Sequence, residues 1–212
     1  YDVYCVKMWN DYGAADYRAP TQEDRQAMDA AADRVDSDYE ISQLLNVEIP
    51  KGNKTGEPRG YGMEQWCDLF SPRQLIAHYE YRRAVEKLEP KLRSQHDELT
   101  AEAILVLLTL GASKMVDYNS KLSSWHMNKG YPNPVFVGNN FSFNRVFVDN
   151  NMSVGAMGHK SHIEKVLDSY EELVNYLPGG VDPADVQQGD AADLPYGDNK
   201  IQSAVVDPPY YS

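Results

Sequence analysis

Cysteine is nearly absent: Cys5 and Cys67 stand far apart in 212 residues and form no C-x-x-C pair. That excludes a disulfide framework and a cysteine zinc ribbon. Long apolar runs are missing as well. The longest, residues 103–112, is half of the about 20 residues a membrane-spanning helix needs, and polar residues follow it. No transmembrane segment and no membrane partner are therefore expected. The first residues show no basic stretch leading into an apolar one, so no signal peptide is expected and a cytoplasmic location is the default. Bases are scarce too, 20 Lys and Arg against 32 Asp and Glu, for a formal charge of -12. A general nucleic-acid binder would carry the opposite balance.

The placement of the charge softens that last exclusion. Residues 1–50 and 166–212 together sum to -15, whereas residues 51–165 sum to +3. A polyanion would have to meet the middle of the chain, although acidic runs are more often simply solvated faces. With 42% hydrophobic residues the chain can bury one ordinary core or two small ones.

Local signals divide it further. Thr21 followed by Gln22, Glu23 and Asp24 predicts a capped surface helix to about Asp36. Residues 46–62, with Pro50, Pro58 and four glycines, read as a long connection at a domain or subdomain boundary. Ser71-Pro72-Arg73-Gln74 combines an N-cap Ser, Pro at the first helical position and Gln three residues after the cap. A helix should run from there to about Glu89, where Pro90 disfavours helical geometry. A second helix, Thr100 to about Val116, has almost no polar face and is expected to be buried all round. Residues 131–158 read as irregular Asn-, Gly- and aromatic-rich chain around one strand at 145–148. Ile163, Val166, Leu167, Tyr170, Leu173, Val174 and Leu177 then follow a helical period from the capping signal at Ser161, and Pro178 ends it. Short strands are expected at 186–188 and 201–206. Helix, strand, loop, strand suggests part of a parallel α/β sheet.

The last of those strands leads into Asp207-Pro208-Pro209-Tyr210, followed by Tyr211. The carboxyl end of a strand in an open α/β sheet is where ligands bind. The tetrapeptide resembles the (Asp/Asn/Ser)-Pro-Pro-(Tyr/Phe) motif of S-adenosylmethionine-dependent amino-methyltransferases, which act on adenine N6 or cytosine N4 in DNA. The chemistry suits such residues. An exocyclic amine is a poor nucleophile because its lone pair is delocalised into the ring. Acceptors fixed on the amine, the Asp207 carboxylate and the Pro208 carbonyl, favour a pyramidal nitrogen aimed at the methyl donor. Pro208 and Pro209 hold those acceptors without offering competing N–H groups. Tyr210 would stack on a base flipped out of the duplex, with Tyr211 beside it.

Upstream, Gln187-Gln188-Gly189-Asp190-Ala191-Ala192-Asp193-Leu194-Pro195 resembles the segment before the same motif. The resemblance implies that Gly189, Asp190 and Ala191 hold S-adenosylmethionine, with Asp190 on its adenine. Tyr17 to Asp24, Tyr61-Gly62-Met63 to Trp66, Asp68 to Leu75 and Asp117-Tyr118-Asn119-Ser120 to Trp125 are similar to the middle of the large adenine-specific DNA methylases. Those enzymes carry an N-terminal domain of unknown function and a zinc-ribbon insert. The family's Asp-Pro-Phe and glycine-rich cofactor loop and its zinc-ribbon cysteines have no counterpart here, so the chain reads as an internal portion of such an enzyme.

The expected fold class is then α/β: a Rossmann-like methyltransferase part-sheet with a helical subdomain. Its parts would be an N-terminal helix and linker over 1–60, the helical subdomain over 61–130, the irregular region over 131–160 and the C-terminal part of the methyltransferase domain over 161–212. The implied activity is adenine N6 methylation of DNA, in restriction-modification or phage defence. Methylation of RNA or of a protein amide is one alternative. A non-catalytic module that binds DNA or another part of a split methylase is another.

Other residues were weighed against plainer roles. His159 and His162, with His126 as a third, have metal-ligand spacing, but a solvated loop pair is expected and no metal. Cys67 lacks the setting of a cytosine C5 nucleophile. Arg73, Arg82, Arg83, Lys114 and Lys121 could meet phosphate, Arg73 being the preferred nucleic-acid contact. Trp66, Phe70 and Trp125 read as core.

Overall fold

The computed structural model describes residues 2–9, 15–126, 128, 130–136, 146–153, 157–177, 179, 184–190 and 192–207. The chain forms two compact units, Tyr1–Val174 and Asn175–Ser212. It is a mixed helix and strand protein with two small antiparallel sheets.

The first unit opens with a hairpin that the sequence reading missed. Strands β1 (Val6–Trp9) and β2 (Ala15–Arg18) pair antiparallel, with Val6 opposite Arg18 and Met8 opposite Asp16. Helix α1 (Gln22–Ser37) starts at the Thr21 cap as expected, closed by a reciprocal capping box with Asp24. Arg18 donates to both Asp24 oxygens, at 2.5 and 2.9 Å, which ties the end of the hairpin to the start of the helix. Those bonds, and then Thr21, hold the Asp24 carboxyl far below the usual carboxylate range. Asp38 caps the short α2 (Tyr39–Ser42), which drives Ile41 into the core.

Residues 46–62 belong to the same packed unit. Ile49 and Pro58 are fully buried, α3 (Gly56–Gly60) forms within the stretch, and Arg59 donates to the Ile49 carbonyl at 2.9 Å. Gly62 turns the chain after α3 with φ +82, a conformation that favours glycine. A 3-10 turn, Trp66–Leu69, then delivers Leu69 and Phe70 to the core formed with Ile41, Ile49, Leu75, Tyr79, Leu122 and Val135. The core roles expected for Phe70 and Trp66 are met.

Helix α4 (Pro72–Gln95) begins where Ser71 and Pro72 place it but does not stop at Glu89: it passes through Pro90 for another turn and more. Pro90 is exposed, so the Glu86 carbonyl that loses its donor can meet water, while Leu92 beyond it is buried and holds the extension. Pro90→Ala restores that bond and should stabilise the protein by about 1–3 kcal/mol. The urea unfolding midpoint measures this, and an unchanged midpoint would contradict it.

Helix α5 (Glu98–Tyr118) is capped by Asp97. The expectation of burial all round is corrected here: Ala101, Gly111, Met115 and Asp117 are buried, but Leu99, Val106 and Leu110 are exposed, at 78%, 57% and 51%. Only one side meets α4, and a continuous apolar composition does not create partners for the other. Among the described residues, α5 is also long and apolar enough to cross a membrane by length and composition, a test that the core helix of a soluble protein can also pass. The run of ten residues underestimated it because polar interruptions count less over a whole helix.

Strands β3 (Trp125–His126) and β4 (Tyr131–Pro132) form the second hairpin. Lys7 donates to the Gly130 carbonyl at 2.6 Å and lies over the Trp125 ring, and Tyr17 meets that ring edge-on, so the two hairpins pack together. No strand forms at 146–148, and Arg145 lies outside the described residues. Side chains bind that segment instead of a sheet ladder. Helix α6 (His159–Tyr176) starts two residues before Ser161. Its apolar stripe is largely uncovered, with Leu167 47%, Tyr170 51% and Leu173 63% exposed.

The described part of the second unit contains no strand. Residues 186–188 and 201–206, expected as strands, have neither helix nor ladder, since no partner strand lies beside them among the described residues. A single bridge, Asp190 with Asp193, marks a turn. Pro178 and Ala191 lie outside the described residues.

Candidate functional site

The start of α4 is the most densely bonded polar region. Ser71 and Gln74 are fully buried, and their capping box is closed both ways: the Gln74 amide donates to Ser71 Oγ at 3.1 Å and the Ser71 amide to Gln74 Oε1 at 2.8 Å. The Gln74 Nε2 donates onward to the Val148 carbonyl at 3.0 Å and to Asn119 Oδ1 at 3.4 Å. Ser71 Oγ donates to Asp149 Oδ2 at 3.0 Å, and the Asn150 amide donates to Asn119 Oδ1 at 3.1 Å. Residues 148–150 are thus fastened by side chains to the start of α4 and the end of α5. The Ser-Pro-Arg-Gln run therefore has a structural role of its own, which its capping signal announced only in part.

Asp149 sits beside Arg73, whose Nε lies 3.8 Å from Asp149 Oδ1. Burial raises the Asp149 carboxyl above its usual range, against the pull of Arg73 and Ser71. The other basic candidates each have a partner within the chain. Arg82 pairs with Glu86 at 2.6 Å, Lys114 pairs with Asp117 at 3.0 Å, Lys121 donates to the Asp68 carbonyl at 2.9 Å, and Arg83 lies over the Tyr79 ring. Arg73 has no close oxygen partner among the described residues; besides Asp149 it reaches only Met28 Sδ, at 3.8 Å.

The histidines are corrected. His159 and His162 are the first turn of α6, not a solvated loop pair, and they dock it: His159 packs on Tyr81 and His162 stacks on Tyr118 at 5.4 Å. Ile163 of the same turn lies against Gly111, where an added Cβ would come within 3.3 Å of its side chain. His159 Nε2 and both His162 ring nitrogens are buried without a full hydrogen bond among the described residues. No group able to hold a metal was found among the described residues.

Burial pushes His162 down to about 4, with Lys165 and Lys114 adding and the Met157 carbonyl opposing. Burial lowers His159 and His78 as well. A folded value below the unfolded one means the unfolded chain binds more protons on acidification. The contribution of these residues to stability is therefore complete above about pH 6.5 and is lost as pH falls toward 4. His162→Phe keeps a flat ring against Tyr118. Between about pH 7 and pH 5, above most carboxylates, its urea midpoint should fall less than that of the parent protein. Parallel decreases would remove His162 from the account.

Cys67 lies in the 3-10 turn with its thiol pushed up by burial and by Asp68, the opposite of an activated nucleophile.

The motif residues are exposed where they are described. Gly189 and Asp190 are exposed, and Asp190 Oδ1 accepts from the Ala192 amide at 2.9 Å. Asp207 is exposed, while Pro208, Pro209, Tyr210 and Tyr211 lie outside the described residues. No family model, no curated protein and no solved structure matches the chain. The residues that sequence reasoning missed are Asp149, Asn150 and Asn119. Their signal was weak: an Asp-Asn-Asn run after Val148 reads as a turn.

Proposed function

We propose that the chain is part of a DNA amino-methyltransferase that methylates adenine N6 in a flipped-out base. The Asp207-Pro208-Pro209-Tyr210 tetrapeptide carries this reading, supported by Gly189-Asp190-Ala191 seventeen residues before Asp207. S-adenosylmethionine would supply the sulfonium methyl group. An exposed carboxylate with one oxygen on a backbone amide, as at Asp190, fits a hydrogen bond to the cofactor's adenine. Asp207 and the Pro208 carbonyl would orient the amine and take up its positive charge as the N–C bond forms, and Tyr210 would hold the base by stacking. In this reading residues 161–212 belong to the C-terminal part of a Rossmann-like methyltransferase domain, and the protein is cytoplasmic and works on DNA.

The test is transfer of tritium from methyl-labelled S-adenosylmethionine to unmethylated DNA, followed by nucleoside analysis for N6-methyladenine. N4-methylcytosine would move the target to cytosine, and label on RNA or protein would move the substrate. A second reading has its own observation: the described part of the second unit contains no strand. DNA retention with no incorporation under any of these conditions would favour that reading, a non-catalytic binding module.

A further inference from the structure

A cleft of about 350 Å³ opens between α1, the first turns of α4 and residues 149–153, and nothing in the methyl-transfer scheme uses it. Part of its wall is apolar and small, Ala27 and Ala31 of α1 with Ile76 and Ala77 of α4. Alanines leave room for a flat ring to approach the helix surface. The polar part contains Arg73, Asp149 and His159. Glu80 also lines it but is held by Arg34.

Two of these polar groups have capacity in reserve. Asp149 Oδ2 accepts from Ser71, but Oδ1 has only the Arg73 guanidinium at 3.8 Å, too far for a hydrogen bond. Arg73 in turn makes no close bond to oxygen among the described residues. Asp149 is largely buried, its side chain 17% exposed, where an open acceptor ordinarily meets a partner, while the Arg73 side chain, 41% exposed, keeps its donors open to solvent. His159 Nε2, likewise buried and unpartnered, belongs to the same wall.

An acceptor and a donor side by side fit a ligand edge that presents an N–H next to an acceptor. Adenine and cytosine do so with an exocyclic N–H next to a ring nitrogen, and uracil and thymine with a ring N–H next to a carbonyl. We propose that this cleft binds a nucleobase by its edge, with Asp149 Oδ1 accepting from an N–H of the base and the Arg73 guanidinium donating to the adjacent ring nitrogen or carbonyl oxygen. The choice of ligand rests on the nucleic-acid reading above, but the binding itself does not depend on methyl transfer. The cleft holds a base apart from the reacting centre, as a recognition pocket for a second base or a strand end. Ser71 and Gln74 fix Asp149 and the segment around it, so the acceptor is positioned before the ligand arrives.

The test is a titration of the intact protein with adenosine, cytidine and uridine, followed by isothermal calorimetry and by the His159 ring resonances in NMR. Adenosine, cytidine or uridine should bind with Kd of about 1 mM or tighter and shift the His159 signals. Arg73→Ala should weaken binding about tenfold or more. Arg73→Lys, which keeps the charge and loses the fork, should also weaken it and serves if the alanine variant does not fold. An unaltered Kd in a folded Arg73 variant, or no saturable binding of any of the three up to about 10 mM, overturns the pocket. Methyl transfer with no nucleoside binding would sink only the pocket; nucleoside binding without methyl transfer would sink only the enzyme.

Discussion

Gln74→Leu should destabilise the first unit by about 3 kcal/mol or more. The size follows from what the leucine would strand. Gln74 is fully buried, its Oε1 accepts from the Ser71 amide, and its Nε2 serves Val148 and Asn119. Leucine fills a similar volume, so little of the loss is a cavity; it comes from the buried Ser71 N–H and the Val148 carbonyl left without this partner, at about 1–3 kcal/mol for each buried group left unsatisfied. Val148 retains a bond from Ser123 Oγ at 3.2 Å, which keeps its share at the low end. Urea unfolding gives the total. Hydrogen exchange gives the location: amides around 148–150 should lose protection beyond the general decrease. A midpoint unchanged in Gln74→Leu would mean that the capping box is ornamental.

Asp207→Ala should reduce methyl transfer at least about a hundredfold if the proposed enzyme is correct, with little effect on stability. Fixed acceptors at a centre where positive charge develops are worth about two to three powers of ten in rate. Asp207 is exposed, so its removal costs the fold little. Asp207→Asn separates charge from hydrogen bonding: the amide oxygen can still accept from the amine, so a partial rate should survive. Single-turnover measurement with saturating DNA keeps weak binding from posing as slow chemistry. Full activity in Asp207→Ala would defeat the mechanism, whatever the fate of the cleft beside Arg73.

The helices were the legible part of the fold. Thr21 and Ser71 announce α1 and α4 because capping is local chemistry, read within four residues and confirmed by reciprocal bonds. What failed depended on distant partners. Pro90 reads as a stop in isolation, yet Leu92 buries beyond it. The apolar pattern of α5 says that much of the helix would gain from burial, not that a neighbour exists to cover it. Likewise residues 146–148 carry strand-like side chains, but Gln74 and Ser123, remote in sequence, took the Val148 carbonyl. For the candidate sites the division is the same. The Asp-Pro-Pro-Tyr motif is contiguous and could be seen at once. The cleft is assembled from α1, α4, residues 149–153 and His159, and no spacing rule joins Arg73 to Asp149.

The uncovered stripes of α5 and α6 bear on how the molecule behaves in a crowd. Leu99, Val106 and Leu110 on one helix, and Leu167, Tyr170 and Leu173 on the other, present greasy surface to solvent, while the net charge of -12 surrounds it with mutual repulsion between molecules. Repulsion of that kind reaches only about 8–10 Å at physiological ionic strength, whereas apolar contact is indifferent to salt at that level. The net negative charge therefore acts as a colloidal stabiliser for these adhesive stripes, and the association of one molecule with another is set by the ionic medium as much as by the fold.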